Sequence, residues 1–353
     1  MAEISKSPYA HKHAAKRIAM LSPVAWRTPP RKYGAWETVA SNITEGLVKN
    51  GWDVTLFATK DSITQARLRA VVSHGYEENP SLDPKVCEYM HISEFFEQAH
   101  EFDLLHNHYD FMALTYSTFV KPPMLTTVHG FSSPQILPLY YKYSNVYYVS
   151  ISDSDRDPNI DYLATVYNGI DLSLHYYYHR GGEDLVFLGR IHPDKGTHLA
   201  CEVARKSGRR LLIGGIIQDR EYFETRVQPF IDDRQIIYVG PVNPQERNEL
   251  FSSAYALLHL NQLPERFGLV MAEANAGGIP VIAFDNGSCG EVIEDGVTGY
   301  LVSDVDDAVK ALSRIPLIDR AECRKRVERY FSREAMVRSY EQVYDTIFER
   351  DKR

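Results

Sequence analysis

The sequence predicts an α/β protein with two doubly wound domains, and three observations support that prediction. The chain has 353 residues, which is more than a single hydrophobic core usually serves. Short runs of β-branched and aromatic residues alternate with helical patterns and turn residues, as is typical of βαβ units around parallel sheets. This alternation occurs twice along the chain, so each half predicts a sheet of its own.

The composition is that of an ordinary globular protein. Hydrophobic residues make up 44% of the chain and charged residues 24%, and no stretch approaches the ~20 apolar residues of a membrane span. A net charge of −8 without a basic stripe argues against nucleic-acid binding. No apolar run of signal-peptide length precedes Pro23, and the four cysteines form no Cys-x-x-Cys pair. We expect a cytoplasmic protein with neither disulfides nor zinc, and peripheral membrane contact stays open.

The first half predicts five strands and a long helix. The helix covers 37–50, because Val39, Ile43 and Leu47 share one face at four-residue spacing and Gly51 stands where a helix ends. The predicted strands are 17–21, 53–58, 102–108, 123–130 and 146–152.

The second half predicts six strands with helices between them. One helix covers 197–208, and another begins with Asn243 as its cap and Pro244 at its first position. A long final helix begins after Ser332. The predicted strands are 184–190, 210–215, 236–242, 255–260, 279–284 and 299–302.

These elements predict four segments of the chain. They are a flexible tail over 1–16, a first domain over 17–167, a second domain over 168–331, and a C-terminal helix over 332–353.

The clearest candidate site follows the first strand of the second half. In FLGRIHPDKG, Arg190 and Lys195 surround a proline-containing turn, and Gly196 lets a helix begin close by. Two cations beside a helix N-terminus suit a diphosphate. The alternative is a surface loop with two ordinary cations.

Two strand ends of the first half are weaker candidates. Gly34 follows a long loop and precedes a helix, so the backbone there can approach a phosphate closely. His129 lies at the end of a strand, before Gly130, and the alternative is a histidine that only satisfies the core.

Two carboxylates lie in the largely apolar stretch PERFGLVMAEANAGG. Glu265 precedes a buried helix and Glu273 lies one to two turns into it. Carboxylates accept charge-assisted hydrogen bonds from sugar hydroxyls, whereas the alternative for Glu273 is contact with a neighbouring cation. The Asp-x-Asp pair Asp153 and Asp155 is interpreted as loop polarity rather than a metal site.

From Arg17 to about Arg350, the ordered motifs resemble the family 4 retaining glycosyltransferases of the GT-B fold. The motifs are GAWE, DLLHNH, TVHG, YNGID, GRIHPDKG, YVGPV and two glutamates separated by seven residues. The resemblance implies two Rossmann-like domains that face a central cleft, with the acceptor on the first domain and the nucleotide-sugar donor on the second. It also implies that the last helix crosses back to the first domain.

The same resemblance implies a role for each candidate residue. Arg190 and Lys195 would bind the donor diphosphate, Glu273 the ribose and Glu265 the transferred sugar. The backbone of Phe267, Gly268 and Leu269 would lie against phosphate and sugar. Gly34 would face the diphosphate and His129 the sugar. The implied catalytic residues are Glu265, His129, Arg190 and Lys195.

The implied reaction is retaining transfer of a hexosyl group from a nucleotide sugar to a hydroxyl acceptor. UDP-glucose is the first choice of donor and GDP-mannose the second. No cofactor or metal is expected, because the two cations can stabilise the departing diphosphate. The alternatives are a nucleotide-sugar 2-epimerase or a sugar phosphorylase on the same fold, and a non-catalytic sugar-nucleotide-binding protein.

Two features bear on specificity. Arg266 stands where the family has proline, which adds a cation beside the donor site. The loop AWRTPP and the turn FLGRIHPDKG are similar to those of pterin glucosyltransferases, and the tyrosine-rich stretch 135–145 offers rings for stacking an acceptor. The alternative is that these tyrosines cover the sheet.

Overall fold

The structure is a computed structural model that describes residues 16–131 and 133–351. The chain forms two compact units, one of Met1–Gly169 together with Arg333–Arg353 and the other of Ile170–Ser332. The flexible tail expected over 1–16 lies outside the described residues, except for Lys16.

The first unit is built on a seven-stranded parallel sheet with the order β3-β2-β1-β4-β5-β6-β7. Its central strands are apolar and buried, as expected when helices cover both faces of a parallel sheet. The strands are β1 (Arg17–Leu21), β2 (Asp53–Phe57), β3 (Arg67–Arg69), β4 (Leu104–Asn107), β5 (Met124–Val128), β6 (Tyr147–Ser150) and β7 (Tyr162–Thr165).

The five predicted strands are confirmed, and the structure adds the two edge strands β3 and β7. Each edge strand has only three or four residues and is partly exposed, so neither carries an apolar run that periodicity could detect. The helices of this half are α1 (Ala35–Lys49), α2 (Pro84–Glu97) and α3 (Leu137–Lys142).

The second unit contains a six-stranded parallel sheet with the order β10-β9-β8-β11-β12-β13. All six strands were predicted. They are β8 (Asp184–Leu188), β9 (Leu211–Gly214), β10 (Ile236–Gly240), β11 (Ala254–His259), β12 (Val281–Phe284) and β13 (Gly299–Val302).

The helices of the second unit lie between these strands and after the last of them. In α6, Asn243 caps the helix in a reciprocal capping box with Glu246, so the predicted cap is confirmed. The helices are α4 (Thr197–Ser207), α5 (Arg220–Tyr222), α6 (Pro244–Ser252), α7 (Leu269–Ala276), α8 (Cys289–Val292), α9 (Val305–Leu312) and α10 (Arg320–Arg326).

The last helix, α11 (Arg333–Asp351), packs against α1 in the first unit. The packing is close at Gly46, where an added Cβ would lie 2.4 Å from Cγ2 of Val337. The indole of Trp52 donates to Glu341 at 2.9 Å, which satisfies a fully buried carboxylate. A glycine on α1 therefore allows the C-terminal helix to pack close to it.

Strand order reverses once in each sheet, between β1 and β4 and between β8 and β11. In doubly wound sheets, ligands bind at the carboxyl ends of the strands on either side of this switch point. The loops after β8 and β11 carry Arg190, Lys195 and Glu265, and the loop after β4 begins at His108. Within the second sheet, the topology thus brings Arg190, Lys195 and Glu265 to the same edge, although they lie far apart in the sequence.

Two expectations from the composition concern disulfides and membrane spans. Cys87, Cys201, Cys289 and Cys323 are buried free thiols. None of the helices that the structure describes combines the length and apolar character needed to cross a membrane.

Candidate active site

The turn after β8 presents the two predicted cations. Arg190 donates to Asp194 at 3.3 Å and also to Gln218, which holds the guanidinium along the turn. Gly196 follows Lys195 with φ 65°, and an added Cβ would lie 2.1 Å from the carbonyl oxygen of Leu260. Only glycine fits this conformation and spacing, so the turn packs directly on the end of β11.

One oxygen of the Glu265 carboxylate accepts three hydrogen bonds. Oε2 lies 2.7 Å from Nζ of Lys195 and 2.9 Å from Nε2 of His259, and it also accepts from the side-chain amide of Asn261. Oε1 accepts from the backbone N–H of Arg266 at 3.0 Å. The side chain is therefore fixed through Oε2, whereas Oε1 accepts one backbone hydrogen bond and, with two lone pairs, can accept another.

The backbone of Glu265 is held as firmly as its side chain. Its N–H donates to Asn286 at 3.4 Å and its carbonyl accepts from Ser288 at 3.0 Å. Gly287 lies so close to this segment that an added Cβ would come 2.3 Å from the Glu265 carbonyl oxygen. Two loops of the same sheet edge thus lock the residue in place.

Electrostatics keep Glu265 ionised although it is only 8% exposed. Burial raises the pKa of the carboxyl, but the hydrogen bond and charge of His259, together with Lys195, outweigh it and hold the pKa well below its usual range. A carboxylate held in this way is an acceptor at every physiological pH.

The backbone after Glu265 turns into α7 at the three residues predicted to face the donor. Phe267 is buried edge-on against Phe331, with ring centroids 5.7 Å apart. Gly268 has φ 75° and caps α7, and Leu269 is its first residue. Backbone N–H groups at a helix start suit an anion, and the phenyl ring anchors this turn.

Glu273 pairs with a cation that the sequence did not single out. Its Oε1 lies 2.7 Å from Nη1 of Arg247, and both side chains are largely buried. Burial raises the pKa of Glu273, while the charge of Arg247 opposes the shift. Arg247 also approaches Nε2 of His175 at 3.4 Å. This geometry therefore matches the alternative stated for Glu273 from the sequence, which is contact with a neighbouring cation.

In the first unit, Gly34 adjoins a buried carboxyl. Gly34 precedes α1 with φ 145°, and an added Cβ would lie 2.9 Å from Pro30 and 3.0 Å from Oε2 of Glu37. Burial raises the pKa of Glu37 to about 7, although the backbone N–H groups of Glu37 and Trp26 oppose the shift. The close backbone approach predicted at Gly34 thus includes the side chain of Glu37.

His129 follows β5 and lies among aromatic rings of the same unit. Its Nε2 is 3.0 Å from Nδ1 of His108, and its ring stacks on Trp36 with centroids 5.4 Å apart and planes 18° apart. Burial lowers the pKa of His129 to about 3, so the ring is neutral at pH 7. The residue is held by a specific partner rather than by apolar packing alone.

The sequence analysis missed four residues that hold the predicted ones: His108, Arg247, His259 and Asn261. His108 and His259 lie at the carboxyl ends of β4 and β11, so a search for polar residues at strand ends would have found them. Arg247 lies on a helix whose position relative to Glu273 no local pattern encodes.

The Asp-x-Asp pair, Asp153 and Asp155, lies in the loop that follows β6. Asp153 accepts from the hydroxyl of Thr165, and Asp155 is buried. Among residues 16–131 and 133–351, no three His, Cys, Asp or Glu side chains gather as a metal site would require.

Comparison with protein-family models identifies the family. Residues 36–174 match Glycosyltransferase Family 4, and residues 179–331 match Glycosyl transferases group 1. The chain therefore belongs to the GT-B glycosyltransferases of this type, and it is a transferase enzyme.

Individual relatives agree with this assignment. An uncharacterised glycosyltransferase of Methanocaldococcus jannaschii is 24% identical over 81% of this chain and 85% of its own. The structure of sucrose-phosphate synthase from Thermosynechococcus elongatus has a TM-score of 0.76 at 21% identity, covering 95% of this chain and 99% of that one. Anabaena HepE in complex with UDP and glucose has a TM-score of 0.72 at 16% identity, covering 94% and 100%. Both structures share the fold of this chain.

Proposed function

We propose that this enzyme transfers a hexosyl group, with retention, from a nucleotide sugar to a hydroxyl acceptor. UDP-glucose is the first choice of donor and GDP-mannose the second. One observation carries the proposal: the ammonium of Lys195 and the carboxylate of Glu265 meet at 2.7 Å at the switch point of the second sheet. A cation for a diphosphate thus adjoins an acceptor for sugar hydroxyls.

The reaction needs positive charge where the leaving group forms. The bond between the anomeric carbon and the diphosphate oxygen breaks, and its electron pair stays on the diphosphate. The acceptor oxygen forms the new bond on the same face, and its proton passes to the departing phosphate oxygen. Arg190 and Lys195 stabilise the developing charge, so we propose that no divalent metal takes part. Lys195 has three donors and can serve Glu265 and a phosphate together.

The remaining roles follow from the contacts of each side chain. Oε1 of Glu265 accepts from hydroxyls of the transferred sugar, and Glu273, oriented by Arg247, accepts from the ribose. The backbone at the start of α7, at Phe267, Gly268 and Leu269, lies against phosphate and sugar. In the first unit, Gly34 lies against the diphosphate and His129 donates to the sugar.

The donor and the acceptor are supported by different features. The likeness to HepE, which was solved with UDP and glucose, supports UDP-glucose. In the tyrosine-rich stretch, Tyr140 and Tyr143 are buried and cover the sheet, whereas Tyr141 is 41% exposed. Tyr141 is therefore the ring of this stretch best placed to stack on an acceptor, and tetrahydropterins belong in the first acceptor screen.

Thermal-shift measurements with UDP, GDP, ADP and their hexose conjugates test the donor. A ligand at a hundred times its Kd stabilises a protein by ~2.7 kcal/mol, so the true donor stands out. Failure of every nucleotide to stabilise the protein would overturn the proposal. Activity is then measured with candidate acceptors, with and without EDTA, and we expect EDTA to have no effect.

The same assays separate the alternatives. An epimerase converts the nucleotide sugar without an acceptor, and a phosphorylase releases a sugar phosphate in inorganic phosphate. A non-catalytic binding protein shows the thermal shift but no turnover with any acceptor.

A further inference from the structure

His108 contacts His129 through one ring nitrogen, and its other ring nitrogen has no partner among the residues that the structure describes. Nδ1 of His108 lies 3.0 Å from Nε2 of His129. The His108 side chain is 0% exposed, and its Nε2 has no hydrogen-bond partner among the described residues. This unpartnered nitrogen determines the direction of the hydrogen bond between the two rings.

A neutral imidazole carries one proton, so two arrangements are possible. If His129 donated to His108, the proton of His108 would be on Nε2, and a buried N–H would lack an acceptor. If His108 donates from Nδ1, its Nε2 is only an unpartnered acceptor. Orphaned buried N–H groups are the rarer and more costly case, which favours donation by His108.

The neighbouring residues support this direction. Both ring nitrogens of His106 are engaged, Nδ1 with the hydroxyl of Tyr344 at 2.7 Å and Nε2 with Thr127 at 2.9 Å. The His106 ring lies 4.2 Å from that of His108, centroid to centroid, so it packs against His108 without offering it an acceptor. Burial lowers the pKa of His108 well below its ordinary value, so the ring is neutral at pH 7.

We infer that His108 is a positioning residue, which donates its Nδ1 proton to Nε2 of His129 and thereby keeps the proton of His129 on Nδ1. His129 then presents Nδ1–H as a donor, and the Trp36 ring stacked on it restricts its rotation. The tautomer is a property of the first unit alone. Donation to an oxygen of the transferred sugar rests on the proposed function.

The tautomer is measured directly by long-range ¹H–¹⁵N correlation NMR of the ¹⁵N-histidine-labelled protein at pH 7. The His129 signals are assigned as those lost in His129→Gln. We expect a neutral ring with a protonated Nδ1 and an unprotonated Nε2. A His129 protonated on Nε2 would overturn the inference, whether or not the protein transfers glucose.

Variants of His108 show whether this residue positions His129 or only supports the fold. His108→Phe removes the δ donor, and we expect a mixture of His129 tautomers and a kcat with UDP-glucose about tenfold lower, equivalent to one hydrogen bond. His108→Asn restores a donor at the δ position. It should recover most of the wild-type His129 tautomer and most of the wild-type kcat. A wild-type tautomer and kcat in a folded His108→Phe protein would refute the role of His108.

His91→Gln is the matched control, because His91 is also buried and its Nε2 lies 2.8 Å from the backbone oxygen of Ser22, away from His129. It should leave the His129 tautomer unchanged even where it lowers stability. If no variant, nor the wild type, turns over UDP-glucose, the proposed function fails while the NMR result still decides the tautomer.

Discussion

Nζ of Lys195 and Oε2 of Glu265 lie 2.7 Å apart although 70 residues separate them in the chain. They meet because β8 and β11 are neighbours in the sheet, so the turn after one strand faces the loop after the other. The pair joins the proposed cation of the leaving group to the proposed acceptor of the sugar.

Lys195→Met should therefore impair catalysis far more than it impairs folding. Loss of a charge that stabilises the leaving group is expected to lower kcat about 100- to 1000-fold, while Lys195→Arg retains part of the activity. Lys206→Met is the matched control, because Lys206 pairs at 2.6 Å with Asp306 on the exposed surface. Similar kcat losses in Lys195→Met and Lys206→Met would contradict the role of Lys195.

Glu265→Gln should change the acid end of the stability profile. The folded pKa of Glu265 is depressed below its unfolded value of ~4.3. The stabilisation is therefore present above that unfolded value and is lost as pH falls toward the folded pKa. Urea unfolding from pH 7 to pH 3 should show a shallower acid decline in Glu265→Gln than in wild type. Parallel profiles would mean that the carboxylate is not held as described.

Glu265→Ala tests the same residue by turnover. We expect activity to fall by orders of magnitude while the far-UV circular dichroism remains that of a folded chain. Near-normal turnover would remove Glu265 from the site.

The sequence predicts the strands and the charged turns well because both depend on local signals. Buried parallel strands are continuous apolar runs, and the turn at Arg190 and Lys195 follows one of them directly. By contrast, β3 and β7 pair as short edges that carry no such run. Their existence depends on the neighbouring strand rather than on their own residues.

Local sequence patterns could not predict which side chains contact the predicted site residues. Arg247 reaches Glu273 from another helix, 26 residues away in the chain, and the carboxyl of Glu37 lies beside Gly34. His259 contacts Glu265 across a loop whose course the sequence does not encode locally. Residue types at strand ends are predictable, whereas the hydrogen bonds that orient them require the sheet order.

Arg247→Met should weaken nucleotide binding by about tenfold, or ~1.4 kcal/mol, because Glu273 loses the cation that orients it. Burial already raises the pKa of Glu273, so removing Arg247 leaves a buried carboxyl without its charge partner and lowers stability. Adding Glu273→Gln should recover stability but not UDP affinity. Isothermal titration with UDP and a double-mutant cycle of unfolding free energies measure both effects. Additive stability losses would show that the pair is not coupled.

Gly268→Ala should lower stability and activity more than Gly296→Ala does, although the two glycines have similar φ angles. Gly268 and Gly296 have φ values of 75° and 74°. A Cβ on Gly268 would meet Met271 at 2.5 Å and Glu265 at 3.1 Å, whereas one on Gly296 would meet nothing within 4 Å. Gly296→Ala therefore measures backbone strain alone, of order 1–2 kcal/mol. Gly268→Ala adds crowding against the Glu265 side chain. A larger stability loss together with a lower kcat is expected for Gly268→Ala only, and equal effects would contradict the contact.

Glu37→Gln should stabilise the protein at alkaline pH. Burial raises the folded pKa of Glu37 to about 7, above its unfolded value of ~4.3. Ionisation of the carboxyl therefore opposes folding: stability falls as pH rises between these two values and levels off above the folded one. The shift corresponds to about 3 kcal/mol between pH 4 and pH 8, and Glu37→Gln should remove this slope from urea-unfolding free energies. Glu45→Gln, on the same helix, should keep the wild-type slope, and loss of the slope in both variants would assign it to another group.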